Sequence, residues 1–166
     1  NEDFNAAVQD GVGFYHVTQD RGVRSDAARA YVDPVRSRSN LQILGDSHVM
    51  RVRLENRRAV GVQLMTGGEE RYLAARAEVI LSAGSFGSPQ LLLLSGIGPG
   101  AALQSLGIDC VADCAQVGAN LQDHPDAILT RRLQDERLFG LSFRALKNMG
   151  RAWGQYKRDA TGLLTT

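Results

Sequence analysis

In this chain of 166 residues, the types best suited to hold a ligand fall in one run, Ser82-Ala83-Gly84-Ser85-Phe86-Gly87-Ser88-Pro89. Small residues let backbone approach a bound group closely. A helix start just beyond them offers N–H groups with partial positive charge. The chemistry this implies is the holding of a nucleotide, not bond breaking. Ala83, Gly84 and Gly87 are the positions that can face one. Gly84 and Gly87 supply only G-x-x-G, and after Gly11-Val12-Gly13 the third glycine position of a dinucleotide fingerprint is His16. A nucleotide site and a plain strand-to-helix connection both satisfy this pattern.

Groups that could move a proton or hold a metal are few. His16 and His48 sit in or beside expected strands with no partner motif and read as surface histidines. Asp123-His124 is an adjacent pair, but neighbouring side chains often point apart, so a structural role is expected. Glu69-Glu70 falls in an expected turn and reads as solvated. Arg51 and Arg53 share one strand face, which suits phosphate or simply water. Cys110 and Cys114 are not spaced as CxxC, and no second Cys/His pair completes a zinc site. No G-x-S-x-G, Walker loop, HExxH or EF-hand loop is present. No catalytic residue and no metal ligand is therefore assigned.

The elements that must position the glycine run follow from periodicity. Residues 14–18 and 40–44 read as short strands, and "RSDAARAYVDPV" as a short helix capped by Ser25 or Asp26 and ended at Pro34. Met50, Val52 and Leu54 alternate with Arg51 and Arg53, and Val60, Val62 and Leu64 repeat the alternation. With turns at "ENRR" and "TGGEE", this is an antiparallel meander returning through "RYLAARAEVILSAG". Val79-Ile80-Leu81 is apolar on both faces, as in a buried parallel strand. Ser88 then reads as an N-cap, Pro89 as the first helical residue and Gly96 as a left-handed stop. A second helix fits 101–107, a brief strand 108–113, a loop 115–125, and an amphipathic helix 141–160 with Leu141, Leu146, Met149 and Trp153 on one face.

The formal net charge of +1 gives no reason to expect a nucleic-acid partner. No run of about 18 apolar residues suggests a transmembrane segment, and no signal peptide is visible, so a cytoplasmic location is expected. Both ends read as cuts through something longer.

Several separated motifs, in order, resemble the glucose–methanol–choline (GMC) oxidoreductases. "GSFGSPQLLLLSGIGP" closely resembles the family's second signature. "NLQILGDSHVMRVRLENRRAVGVQL" resembles its meander, with the "DFN" to "YVDP" stretch before it. "VGANLQDHP" resembles the loop G-x-G-x-N-L-x-D-H, with Ala119 where an acidic residue is common, and "ATGLLTT" resembles the segment before the chain re-enters the substrate domain. The resemblance implies an α+β piece: an antiparallel meander plus a strand-turn-helix part of a Rossmann-like FAD domain, with a C-terminal helix. Its expected parts are 1–77, shared between FAD and substrate regions, 78–122 in the FAD domain, and 123–166 at the start of the substrate domain. FAD is the implied cofactor. Val49 falls where the family uses a backbone group against the adenine, and Ser82, Ala83 and Gly84 fall near the adenosine portion. The implied reaction of a full-length parent is oxidation of a primary alcohol to an aldehyde by hydride transfer to flavin, with choline as the second substrate. Oxygen or a quinone-like acceptor would then take the electrons. The family's G-x-G-x-x-G and catalytic histidine are absent from this sequence, so the chain alone is expected to be inactive, to bind FAD weakly, and to dimerise through unpaired strand edges. A NAD-binding module and a non-catalytic interaction domain are the rival readings.

Overall fold

The meander forms as the alternation predicts. In the computed structural model, which describes residues 1–131, 142–162, 164 and 165, strands β3 (Ser47–Glu55), β4 (Arg58–Thr66) and β5 (Glu69–Ala74) make one antiparallel sheet in that order. Both connections are two-residue turns with positive φ throughout, 48° and 63° at Asn56-Arg57 and 57° and 81° at Gly67-Gly68. Such primed turns match the right-handed twist of the strands they join. The register sets Val52 opposite Val62 and Val49 opposite Leu64. Met50 is an extra residue on β3 between the Val49 and Arg51 pairings. That bulge leaves Val49 and Met50 both half-buried, so the packed face holds one more apolar side chain than strict alternation supplies. The opposite face carries a polar chain: Arg51 Nε donates to Gln63 Oε1 at 2.8 Å, and the Gln63 amide donates to Glu70.

The chain divides into two units, residues 43–128 and residues 1–42 with 129–166. In the first, helix α1 (Gly84–Leu94) packs on β3. One buried hydroxyl fastens them: the backbone N–H of Val52 donates to Ser95 Oγ at 2.9 Å, and that hydroxyl donates to the Leu91 carbonyl. Beyond α1, Gly96 takes φ 81° and its carbonyl accepts from Val111 N at 2.8 Å. A Cβ there would lie 2.4 Å from the Asp109 carbonyl oxygen, so glycine is required by both conformation and space. Two short parallel strands follow, β6 (Ile97–Gly98) against β7 (Ala112–Asp113), with helix α2 (Gly100–Ser105) between them. Asp113 Oδ1 accepts from Gly100 N at 2.9 Å at the start of α2, and Leu103, 1% exposed, anchors that helix.

In the second unit, β1 (Gln19–Asp20) pairs antiparallel with β2 (Val23–Arg24). The short helix expected over 25–34 is a π-helical turn at Ala28–Val32 followed by a 3-10 turn at Asp33–Val35. Asp26 caps it as expected, its Oδ1 accepting from Arg29 N at 2.9 Å. Pro34 brings no N–H for a regular helix, and the Asp33 N–H reaches back five residues to Ala28 instead. Helix α3 (Phe143–Asp159) starts at Ser142, whose hydroxyl accepts from Ala145 N at 3.1 Å, and ends at Ala160 with φ 50°. Leu141, placed on this helix by the sequence pattern, lies outside the described residues.

Three expected strands are not formed. Residues 14–18, 40–44 and 79–81 have no strand pairing among the described residues. The apolar run Val79-Ile80-Leu81 was expected to be buried on both sides, yet Ile80 is 76% exposed. A strand is stabilised by ladder pairing along its edges, and beyond the single bond from Ser25 N to the Thr18 carbonyl at 3.1 Å these runs join no ladder among the described residues. The antiparallel strands escape this limit because each finds its neighbour across a two-residue turn.

Replacing Ser95 by alanine strands the buried Val52 N–H. We expect Ser95→Ala to lower stability by about 1–3 kcal/mol, read as a lower urea midpoint. Leu103→Ala should cost more, about 2–5 kcal/mol.

Candidate functional site

The site grows from the turn into α1. Helix geometry begins at Gly84, four residues before the expected Ser88 cap. Ser88 instead closes the turn onto the first helical coil, its Oγ accepting the N–H of Ala83 at 2.9 Å. Pro89 therefore lies inside the helix, not at its first position. It lacks the N–H that would meet the Ser85 carbonyl. Gly84 holds φ 78°, and a Cβ built there meets nothing within 4 Å. Its backbone needs glycine for conformation, while the space beside it is open.

No side chain caps α1, and its first turn carries no acidic residue. The first N–H groups of a helix have no intrahelical partner. At Gly84 and Ser85 these groups stand in an exposed turn of small residues, next to open space. Such a turn suits a phosphate or ribose hydroxyl approaching backbone directly. The residues present thus fit the adenosine and phosphate parts of a dinucleotide.

A groove of about 760 Å³ runs along α1 beside this turn. Ser85, Phe86, Pro89 and Leu93 form one wall, and Val117, Gly118, Asn120 and Leu121 form the other. Phe86 and Leu121 remain 77% and 58% exposed. Leu91 to Leu94 make α1 apolar on every side, so β3 covers one flank and leaves another facing this groove. Asn120 turns the second wall with φ 55°, a conformation asparagine tolerates better than most residues.

Of the four residues singled out from the sequence, Ser82, Ala83 and Gly84 form the exposed turn itself. Val49 sits on β3, half-buried and paired with Leu64. None of the four lines the groove, which begins one residue later at Ser85. Sequence reading named the 120–124 loop but did not bring it to α1. Its signal was the Val-Gly-Ala-Asn run, whose backbone conformations let the loop fold back.

The proton-moving candidates are not assembled. His16, His48 and His124 are exposed. Asp123 Oδ1 accepts the backbone N–H of His124 at 2.8 Å, so the adjacent pair serves the loop. Arg51 and Arg53 are exposed on β3. Cys110 and Cys114 are free thiols. Among the described residues no three His, Cys, Asp or Glu side chains are grouped to hold a metal, and no helix is long and apolar enough to cross a membrane.

Comparison with known proteins agrees with the motif order. The GMC oxidoreductase family model matches residues 1–126. An alcohol dehydrogenase [acceptor] of Pseudomonas putida is 43% identical over 145 residues, covering 86% of this chain and 26% of that protein. An oxygen-dependent choline dehydrogenase of Sinorhizobium medicae is 47% identical over 123 residues, 74% of this chain and 22% of its own length. An FAD-dependent oxidoreductase from Chaetomium thermophilum matches in structure with a TM-score of 0.73 at 31% identity, covering 87% of this chain and 26% of that one. The chain belongs to the GMC oxidoreductase family, whose cofactor is FAD, and spans about a quarter of the length of these relatives. Its mixed α/β fold with antiparallel sheets is similar to FAD-dependent oxidoreductase structures.

Because open space surrounds Gly84, substitution there tests conformation alone. We expect Gly84→Ala to destabilise the chain by about 1–2 kcal/mol through left-handed strain, and Gly84→Asn by less. Denaturant unfolding of both variants measures the difference.

Proposed function

We propose that this chain is the adenosine-holding portion of an FAD-dependent oxidoreductase that oxidises a primary alcohol to an aldehyde. One observation carries this reading: the family match extends over residues 1–126 and includes the uncapped, open turn at the start of α1. The alcohol dehydrogenase relative, aligned over 86% of the chain, supports the substrate class.

In this reading, Ser82, Ala83 and Gly84 meet the adenosine part of FAD through backbone, with Gly84 leaving the approach open. Val49 contributes a backbone group toward the adenine. When bound, FAD supplies the acceptor for the hydride leaving the carbinol carbon. This chain's residues bind and orient; none is assigned to proton transfer. Residues 78–122 belong to the FAD domain, 1–77 are shared with the substrate region, and 123–166 begin the substrate domain. The unpaired apolar segment 79–81 is a strand of the Rossmann-like FAD domain. The run Val79-Ile80-Leu81, apolar on both faces, supports that assignment. Oxygen or a quinone-like acceptor reoxidises the flavin. Choline is the second substrate reading, favoured by the 47% identity to a choline dehydrogenase.

The decisive experiment is the visible spectrum of the full-length protein carrying this sequence, without oxygen, before and after a primary alcohol. We expect a flavin spectrum that bleaches with alcohol; bleaching with choline alone selects the second reading. A protein that stays colourless with added FAD sinks the proposal and favours a non-catalytic interaction domain. By calorimetric titration the 166-residue chain alone should bind FAD weakly, since it holds no G-x-G-x-x-G run. A tight stoichiometric yellow complex would contradict this.

A further inference from the structure

The turn into α1 holds one half of a reciprocal helix cap. In the complete arrangement the capping side chain accepts an N–H from the first turn. A side chain of the helix then reaches back to the N–H of the capping residue. Here the residue at the cap position is Ala83, and no side chain caps the helix. The second half is present: Ser88 Oγ accepts the Ala83 N–H at 2.9 Å. Gly87 meets the same residue at close range, since a Cβ on it would lie 2.9 Å from the Ala83 Cβ. Ala83 is therefore fixed by one hydrogen bond and one tight contact, both made by the first coils of the helix that follows it.

This arrangement sorts the N–H groups of the turn. That of Ala83 is taken by Ser88, so Ala83 meets a ligand by contact and not as a donor. Those of Gly84 and Ser85 have no acceptor among the described residues. A serine or aspartate at position 83 would supply one, and alanine does not. No acidic residue stands in the first turn, so no side chain there offsets the positive end of the helix.

We propose that Ser88 is a positioning residue for FAD. It holds Ala83 so that the Gly84 and Ser85 N–H groups are presented to an oxygen of the cofactor's adenosine diphosphate half. That oxygen then plays the part of the absent capping side chain. The assignment rests on the FAD reading above and deepens it. It adds Ser85 as a backbone donor, leaves Ala83 a contact role, and gives Ser88 a role without touching the cofactor. The chemistry matches, because ribose and pyrophosphate oxygens accept hydrogen bonds, and an anionic oxygen gains further from the helix end.

The test uses the apo form of the full-length protein carrying this sequence, titrated calorimetrically with FAD and with ADP. ADP carries the half in question without the flavin. We expect Ser88→Ala to weaken both ligands by about tenfold, the effect of one hydrogen bond. Ser88→Thr keeps the hydroxyl and should restore most of the affinity. Ala83→Asp separates binding from folding. Its carboxylate supplies the cap, so the urea midpoint should hold or rise. The same carboxylate occupies the donors and repels the phosphates, so FAD and ADP should bind about tenfold more weakly or worse. If Ser88→Ala does not fold, Ala83→Asp decides alone. Unchanged affinity in Ser88→Ala would overturn the assignment, as would a loss just as large in Ser88→Thr. Unchanged affinity in Ala83→Asp would also overturn it, giving the Gly84 and Ser85 N–H groups to another part of the protein. A parent protein that binds neither ligand sinks the FAD reading and this role with it. A parent that binds both, beside unchanged variants, sinks this role alone.

Discussion

One hydroxyl links the meander to the helix that carries the candidate site. Ser95 accepts the N–H of Val52 on β3 and donates to Leu91 at the end of α1. It is a buried polar side chain, 8% exposed, in a small core that includes Val52 and Leu64. An edge strand normally turns its free N–H groups to water. Here one of them is buried, and the serine supplies the acceptor that water would otherwise provide. The position of α1 on β3, and so of the turn at Gly84, depends on this bridge.

From that fixed end the helix runs back to a plain beginning. No cap and no acid closes it, Ser88 tightens the turn from within, and Pro89 withholds an N–H from the Ser85 carbonyl. Polar backbone is thus left accessible where small side chains let another molecule come close. The same helix is apolar on all sides, which draws the 117–121 loop to its far flank and forms the groove. Strength at one end and openness at the other are two consequences of one segment, Ser82 to Gly96.

The two units solve the problem of an apolar helix differently. α1 spreads leucine around its circumference and is covered on one flank by a sheet and faced on another by a loop. α3 concentrates its apolar residues in one stripe and buries Ala152 beside it, leaving the stripe exposed.

Local chemistry was legible in the sequence. The alternation of Met50, Val52 and Leu54, the turns at Asn56-Arg57 and Gly67-Gly68, and the stops at Gly96 and Gly107 follow from side-chain period and positive φ, which act over a few residues. The order of the motifs was legible too, and it identified the family. Tertiary contacts decided the rest. The Met50 bulge depends on which residues β4 sets opposite β3, and the early start of α1 on Ser88 turning back to Ala83. The runs at 40–44 and 79–81 carry strand-forming residues yet stay unpaired, because a strand is completed by what lies beside it and not by its own sequence. Likewise periodicity showed that α3 has an apolar face, but only packing determined that this face looks outward.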